Sequence, residues 1–99
     1  MKKVYISGAV TGKTDYTERF KQAERFLHGL GYEVINPVKI MSHMPKSTTW
    51  EGYMAVSLAL LAQADAIFSL YGWKESRGAV VERKTAEALN LEILCQESE

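Results

Sequence analysis

The sequence predicts an α/β fold in which a four-stranded parallel sheet carries helices on both faces. Three observations carry that expectation. Short apolar, β-branched runs alternate with longer amphipathic stretches in the order β-α-β-α-β-α-β. Hydrophobic residues make up 46% of the chain and charged residues 24%, the balance of a folded globule rather than a disordered tail. The 99 residues suit a single domain, residues 1–99, with no room for a second core.

Val4-Tyr5-Ile6-Ser7 reads as the first strand, ended by Gly8. From Thr14 to about Leu30 the period becomes helical: Phe20, Ala23, Phe26, Leu27 and Leu30 recur every three or four residues, with charged residues between them. Gly29 and Gly31 stop this helix. Glu33-Val34-Ile35-Asn36 is the second strand, closed by Pro37. Residues 37–49 show no strong period and read as a long loop. Ser47, Thr48 and Thr49 are candidate caps for a helix from about Trp50 to Gln63. Ala66 to Tyr71 is the third strand and residues 72–78 a turn. A helix from about Gly78 to Leu89 follows, ended by Asn90, and Leu91 to Cys95 is the last strand. Ligands of such sheets bind beyond the carboxyl ends of the strands, where the strand order reverses. The loops that start at Ser7, Asn36, Tyr71 and Cys95 are therefore the places to search.

Twelve Lys and Arg balance twelve Asp and Glu. Zero net charge argues against binding a nucleic-acid polymer, which needs surplus cations to displace counterions. The charge is uneven: residues 1–49 hold eight Lys/Arg and four Asp/Glu, and residues 50–99 the reverse. An anionic ligand and a merely solvated basic face both fit that bias. Cys95 stands alone, which excludes an intrachain disulfide and paired-thiolate zinc, and reads as a small buried hydrophobe near a strand end. Lys2 and Lys3 before an apolar run imitate a secretory leader, but Val4 to Val10 is too short and contains Ser7 and Gly8. No stretch approaches a membrane span, so a cytoplasmic protein is expected.

The loop Ser7 to Thr14 joins a strand to a helix, where backbone amides point at a ligand and glycines admit a phosphate. Gly12-Lys13-Thr14 ends like a nucleoside-triphosphate loop. Ser7 nevertheless occupies the place of the leading glycine, and the third strand lacks a terminal Asp for magnesium. Thr11-Gly12-Lys13-Thr14 also resembles part of a flavodoxin phosphate loop. Flavodoxins normally have five strands and longer chains, so FMN binding is a minor alternative. A metal-free sugar or phosphate contact and a plain glycine turn both remain open.

On a helical projection Glu82 falls between Ala86 and Leu89, inside the apolar arc of residues 78–89. A carboxylate facing the sheet is costly unless paired or useful. Early in its helix, it is favoured in its ionised form by the dipole, and a desolvated carboxylate at a ligand edge has the makings of a nucleophile. A structural ion pair with Arg or Lys fits the same pattern. Ser76 is a candidate N-cap, and with the free amides of Arg77, Gly78 and Ala79 it makes a second anion cup.

Together, Val4-Tyr5-Ile6-Ser7-Gly8, Ala64-Asp65-Ala66-Ile67 and Gly72-Trp73 through Ser76-x-Gly78-Ala79-x-x-Glu82 resemble the nucleoside 2-deoxyribosyltransferase family. They equally resemble its hydrolase relative, the 2′-deoxynucleoside 5′-monophosphate N-glycosidase, and come nearest to short bacterial and phage-type members. The resemblance covers nearly the whole chain and implies a flavodoxin-like three-layer sandwich. It implies that Glu82 forms a covalent deoxyribosyl-enzyme, resolved by water or another base as in a retaining glycosidase. Tyr5 matches a Tyr beside the reacting sugar, although a lone strand Tyr is more often a core residue. Gly8, Ala9, Val10, Thr11 and Gly12 match the loop that holds phosphate in the hydrolase. Ser76, with Gly78, matches its phosphate-binding Ser, which tilts the substrate towards a nucleoside monophosphate. A small-molecule nucleoside or nucleotide, no cofactor, no metal and a homo-oligomer are expected.

The chain departs from the family in three ways. Counting eight residues back from Asp65 to the family's acid, an Asp that protonates the departing base, gives Ser57, which lacks a carboxylic acid's pKa. The projection sets Ser57 among Tyr53, Val56, Leu60 and Leu61, where a small packing residue is adequate, and Asp65 lies at the strand's far end. Thr11 stands where the hydrolase carries Arg. The C-terminal residue that members lend to a neighbouring subunit finds no counterpart. Trp50 and Trp73 flank the expected crevice and are candidates for stacking on a base, or for rim packing. His43 is a candidate substitute acid or an exposed loop residue.

Overall fold

The computed structural model describes residues 1–10 and 15–97. Its elements run β1 (Lys3–Ser7), α1 (Tyr16–Gly29), β2 (Glu33–Ile35), α2 (Pro37–Met41), α3 (Trp50–Leu61) and β3 (Ala66–Ser69). A 3₁₀ turn (Trp73–Glu75), α4 (Arg77–Ala88) and β4 (Glu92–Cys95) complete the chain. All strand pairings are parallel, in the order β2-β1-β3-β4. The predicted α/β sandwich is thus the observed one. The chain moves from β1 outward to β2 and then crosses back to β3, so the order reverses between β1 and β3, the two central strands.

The period of two along each strand separates the faces. Val4, Ile6, Ala66, Phe68 and Leu70 meet Phe20, Ala23 and Leu27 of α1 on one side. Tyr5 and Ile67 meet Leu61, Ala64 and Ala86, from the region of α3 and α4, on the other. Fully burying an aliphatic side chain of this kind contributes about 1.5–3 kcal/mol.

Several expectations need correction. Phe26 and Leu30 are 56% and 60% exposed: Phe26 lies about 100° round the helix from the buried Leu27, at the side of the apolar stripe, and Leu30 follows the end of α1. The Phe26 ring still meets Phe68 of the core in a tilted pair, 6.1 Å between centroids. Part of the expected loop 37–49 is the helix α2, with Pro37 at its first turn and Asn36 Oδ1 accepting from the Val38 amide at 3.1 Å. Asn36 and Lys39 both donate to Glu24 of α1, at 3.0 and 3.1 Å, fastening α2 to α1. Cys95 is exposed rather than buried, at the end of the edge strand β4. The helix expected from Thr14 begins at Tyr16, and Thr11, Gly12, Lys13 and Thr14 lie outside the described residues.

Helix ends follow the expected chemistry. Thr49 accepts from Gly52 N at 3.0 Å and Ser76 from Ala79 N at 3.2 Å. Gly31 and Asn90 take positive φ after α1 and α4, which stops each helix. Among the described residues no helix is long and apolar enough to cross a membrane.

Candidate active site

Tyr5 and Ser7 lie two residues apart on β1 and therefore share the face covered by α3 and α4. Both are fully buried. Ser7 is in register with Ser69 of β3, also fully buried. The face thus turns polar at the carboxyl ends of both central strands. Gly8 follows, and the chain needs a glycine there: a Cβ would stand 2.8 Å from Leu70 Cδ1. That approach is fixed by Leu70 N donating to Ser7 O at 2.8 Å.

Above this end α4 starts, capped by Ser76. Gly78 lets it come close to α3, since a Cβ at that position would meet Met54 Sδ at 3.2 Å. The sheet-facing side of α4 then carries Ala79, Glu82 and Ala86, all buried. Glu82 is 6% exposed. Its partners are hydroxyls rather than an Arg or Lys: Tyr5 Oη donates to Oε2 at 2.7 Å, and Ser7 Oγ to Oε1 at 2.6 Å. Burial pushes the Glu82 carboxyl above the usual carboxylate range, while hydrogen bonds from Ser7, Tyr5 and Ser57 pull it back. Burial and the neighbouring Glu82 charge push the Tyr5 phenol upward as well, so it remains a protonated donor.

Ser57 is 3% exposed and stands beside Tyr5 and Glu82, close enough to influence the ionisation of both. Its hydroxyl also makes a long contact, 3.8 Å, to Met41 Sδ. It is therefore a site residue as well as a packing one.

A cleft of about 930 Å³ opens over these groups. Tyr5, Ser57 and Glu82 line it, together with Gly8, Val10, Ser76, Gly78 and Trp50 of the candidates read from sequence. Ala9 is buried and does not line it, and Thr11 and Gly12 lie outside the described residues. The exposed Lys39, Lys46 and Arg77 also border the cleft. Arg77 covers one face of Trp50, its guanidinium carbon 3.9 Å from the ring centre. Trp73 is not part of this cleft. It borders a separate depression of about 390 Å³, with Arg83 stacked over it at 4.6 Å. His43 is exposed and does not line the cleft either. Asp65 caps the opposite end of β1, its Oδ2 accepting from Lys3 N at 2.9 Å.

Sequence reasoning missed Ser7 as a partner of Glu82. The signal was a polar residue two positions beyond Tyr5, at the last place in the strand. Among the described residues no three His, Cys, Asp or Glu side chains converge as metal ligands.

The family described as Domain of unknown function (DUF4406) matches residues 2–95. No curated protein matches the chain. Among solved structures, the 2-deoxyribosyltransferase of the psychrotolerant bacterium Bacillus psychrosaccharolyticus superposes with a TM-score of 0.75 at 18% identity, over 94% of this chain and 70% of that one. The CMP N-glycosidase BcmB of Clostridium botulinum superposes with a TM-score of 0.66 at 20% identity, over 95% of this chain and 67% of that one. At such identities the likeness is one of fold, and the fold is the nucleoside 2-deoxyribosyltransferase-like one that the motifs led us to expect.

Proposed function

The chain belongs to the DUF4406 family, and we propose that it cleaves, or transfers sugar from, the N-glycosidic bond of a deoxynucleoside or deoxynucleoside 5′-monophosphate. The observation that carries this reading is Glu82, a carboxylate buried at the cleft and held by two hydroxyls instead of a cation. A cation would neutralise the charge the carboxylate must bring to carbon, whereas hydroxyl donors orient it and leave its charge in place.

In this mechanism one Glu82 oxygen attacks C1′ of the sugar. The C1′–N bond breaks with its electron pair passing to the base nitrogen, and a glycosyl ester forms on Glu82. Water attacking C1′ releases the sugar and one proton and restores the carboxylate; a second base doing so completes a transfer. Tyr5 and Ser7 hold the nucleophile. Ser76, the amides that open α4 and the loop from Gly8 receive a 5′-phosphate, with Lys46 and Arg77 supplying positive charge at the rim.

One observation favours a second reading. By the resemblance Ser57, buried beside Glu82, takes the position of the family's acid, so a module that binds a nucleotide without cleaving it also fits. The deciding experiment mixes purified protein with the four deoxynucleoside monophosphates and their parent deoxynucleosides and follows free base by chromatography, beside Glu82→Ala. Release by the wild type but not by the variant is expected. Binding in calorimetry without release would establish the second reading. Ser57→Asp separates the two further, since it raises release where the remaining apparatus is intact. A colourless protein that ignores added FMN disposes of the flavin alternative.

A further inference from the structure

The proton inventory around Glu82 limits the substrate. The phenol proton of Tyr5 and the hydroxyl proton of Ser7 are both committed to the carboxylate, at 2.7 and 2.6 Å. Ser57 offers only an aliphatic hydroxyl and touches the thioether of Met41 at 3.8 Å. Met44 and Met54 line the same cleft with Tyr16 and Tyr53, and a phenol is a far weaker acid than a carboxyl. Glu75, the other carboxylate among the described lining residues, is exposed on the 3₁₀ turn. Among the described residues, no carboxylic acid other than Glu82 is buried at the cleft to supply a proton to a departing base.

We infer that the preferred substrates are N-glycosides whose base already carries a positive charge, such as N-alkylated purinium or pyridinium nucleotides. The inference rests on Glu82 acting as the nucleophile proposed above. With a neutral base, breaking the C1′–N bond leaves a negative charge on nitrogen, which an apolar wall does not stabilise. With a cationic base the same electron pair cancels the charge on the ring, and the base leaves neutral with no proton transferred. The carboxylate becomes a neutral ester in the same step. Opposite charges are thus annihilated in a poorly solvated cleft, the change that a low dielectric favours most. The anionic end of the cleft also attracts such a ring, and thioether sulfurs make favourable contacts with aromatic faces. The cations Lys46 and Arg77 stay exposed, where a phosphate rather than the base meets them.

The test uses a matched pair that differs by one methyl group and one charge, 2′-deoxyguanosine 5′-monophosphate and its 7-methyl derivative. Base release is followed for each and corrected for its spontaneous rate. An enzyme with a working acid compresses the intrinsic gap between the two, since general acid catalysis is worth about 10²–10⁴-fold on the neutral compound alone. The expected kcat/KM for the 7-methyl compound exceeds that of the neutral one by at least about a thousandfold. A ratio within about tenfold would overturn the inference while leaving the glycosidase reading intact. E75Q is expected to leave the ratio unchanged. If E75Q instead selectively removes cleavage of the neutral compound, Glu75 is the acid and the inference falls. Cleavage of neither compound above background would sink the proposed activity itself, and the inference with it.

Discussion

Along β1, Val4 and Ile6 alternate with Tyr5 and Ser7, and all four side chains are fully buried. The first pair points at α1 and packs with Phe20, Ala23 and Leu27, Ile6 also reaching the wall of the cleft. The second pair points towards α3 and α4, and there the two hydroxyls are spent on one carboxylate. Equal burial therefore serves opposite ends on the two faces of one strand. The α1 face gains from every atom it removes from water. The other face is apolar at Ile67, Leu61 and Ala86 and becomes polar only at the carboxyl ends, where the strand order reverses. There a carboxylate is kept desolvated at an energetic disadvantage, which is what a site does and a core does not.

Substitutions on either face sharpen that contrast. Glu82→Gln is expected to lower base release by about 10³-fold or more, read by chromatography. The same change is expected to stabilise the fold near neutral pH. Burial raises the Glu82 pKa, so above its ordinary value of 4.5 the folded chain binds this proton more tightly than the unfolded chain. The stability this provides is full below that value and is lost as pH rises through the raised one. Urea midpoints of Glu82→Gln and wild type should thus diverge from acid to neutral pH, with the variant higher. A midpoint that falls at neutral pH would mean that Glu82 is a structural partner.

Leu27→Ala, on the α1 side of the core and away from the cleft, should cost about 2–5 kcal/mol in urea unfolding through the cavity it leaves, while kcat stays within a few-fold of wild type. Gly8→Ala forces a Cβ against Leu70 and should cost about 1–3 kcal/mol. Leu70→Ala in the same chain should recover part of the Gly8→Ala clash, a double-mutant cycle that isolates the contact. Ser7→Ala is the mildest. It removes one donor from Glu82, so the acid limb of the pH–rate profile should move to higher pH, with a stability loss of about 1–3 kcal/mol or less. An unmoved limb would show that Ser7 does not tune the carboxylate.

The order of elements and the oddity of Glu82 were legible in the sequence because both rest on periodicity, which the folded chain preserves. Tyr5 was not separable from a core aromatic except by resemblance. Ser57 read as a packing residue because a helical projection shows its neighbours on its own helix and not that α3 brings it to the end of β1. Trp73 sat near the crevice in sequence, yet the 3₁₀ turn sets it in a neighbouring depression, under Arg83. The helix α2 had its signals, Asn36 followed by Pro37, but five residues are too few to show a period. Phe26 stands at the side of the stripe formed by Phe20, Ala23 and Leu27, and Leu30 falls past the helix end, neither of which a three- or four-residue spacing distinguishes.

The central claim is that the carboxylate held by Tyr5 and Ser7 attacks carbon. Its most direct test is base release in the presence of methanol as acceptor, with the anomeric configuration of the methyl deoxyriboside read by proton NMR. Two displacements at C1′ through Glu82 predict the same β configuration as the starting nucleotide. An inverted product, or release that survives Glu82→Ala, would contradict the account.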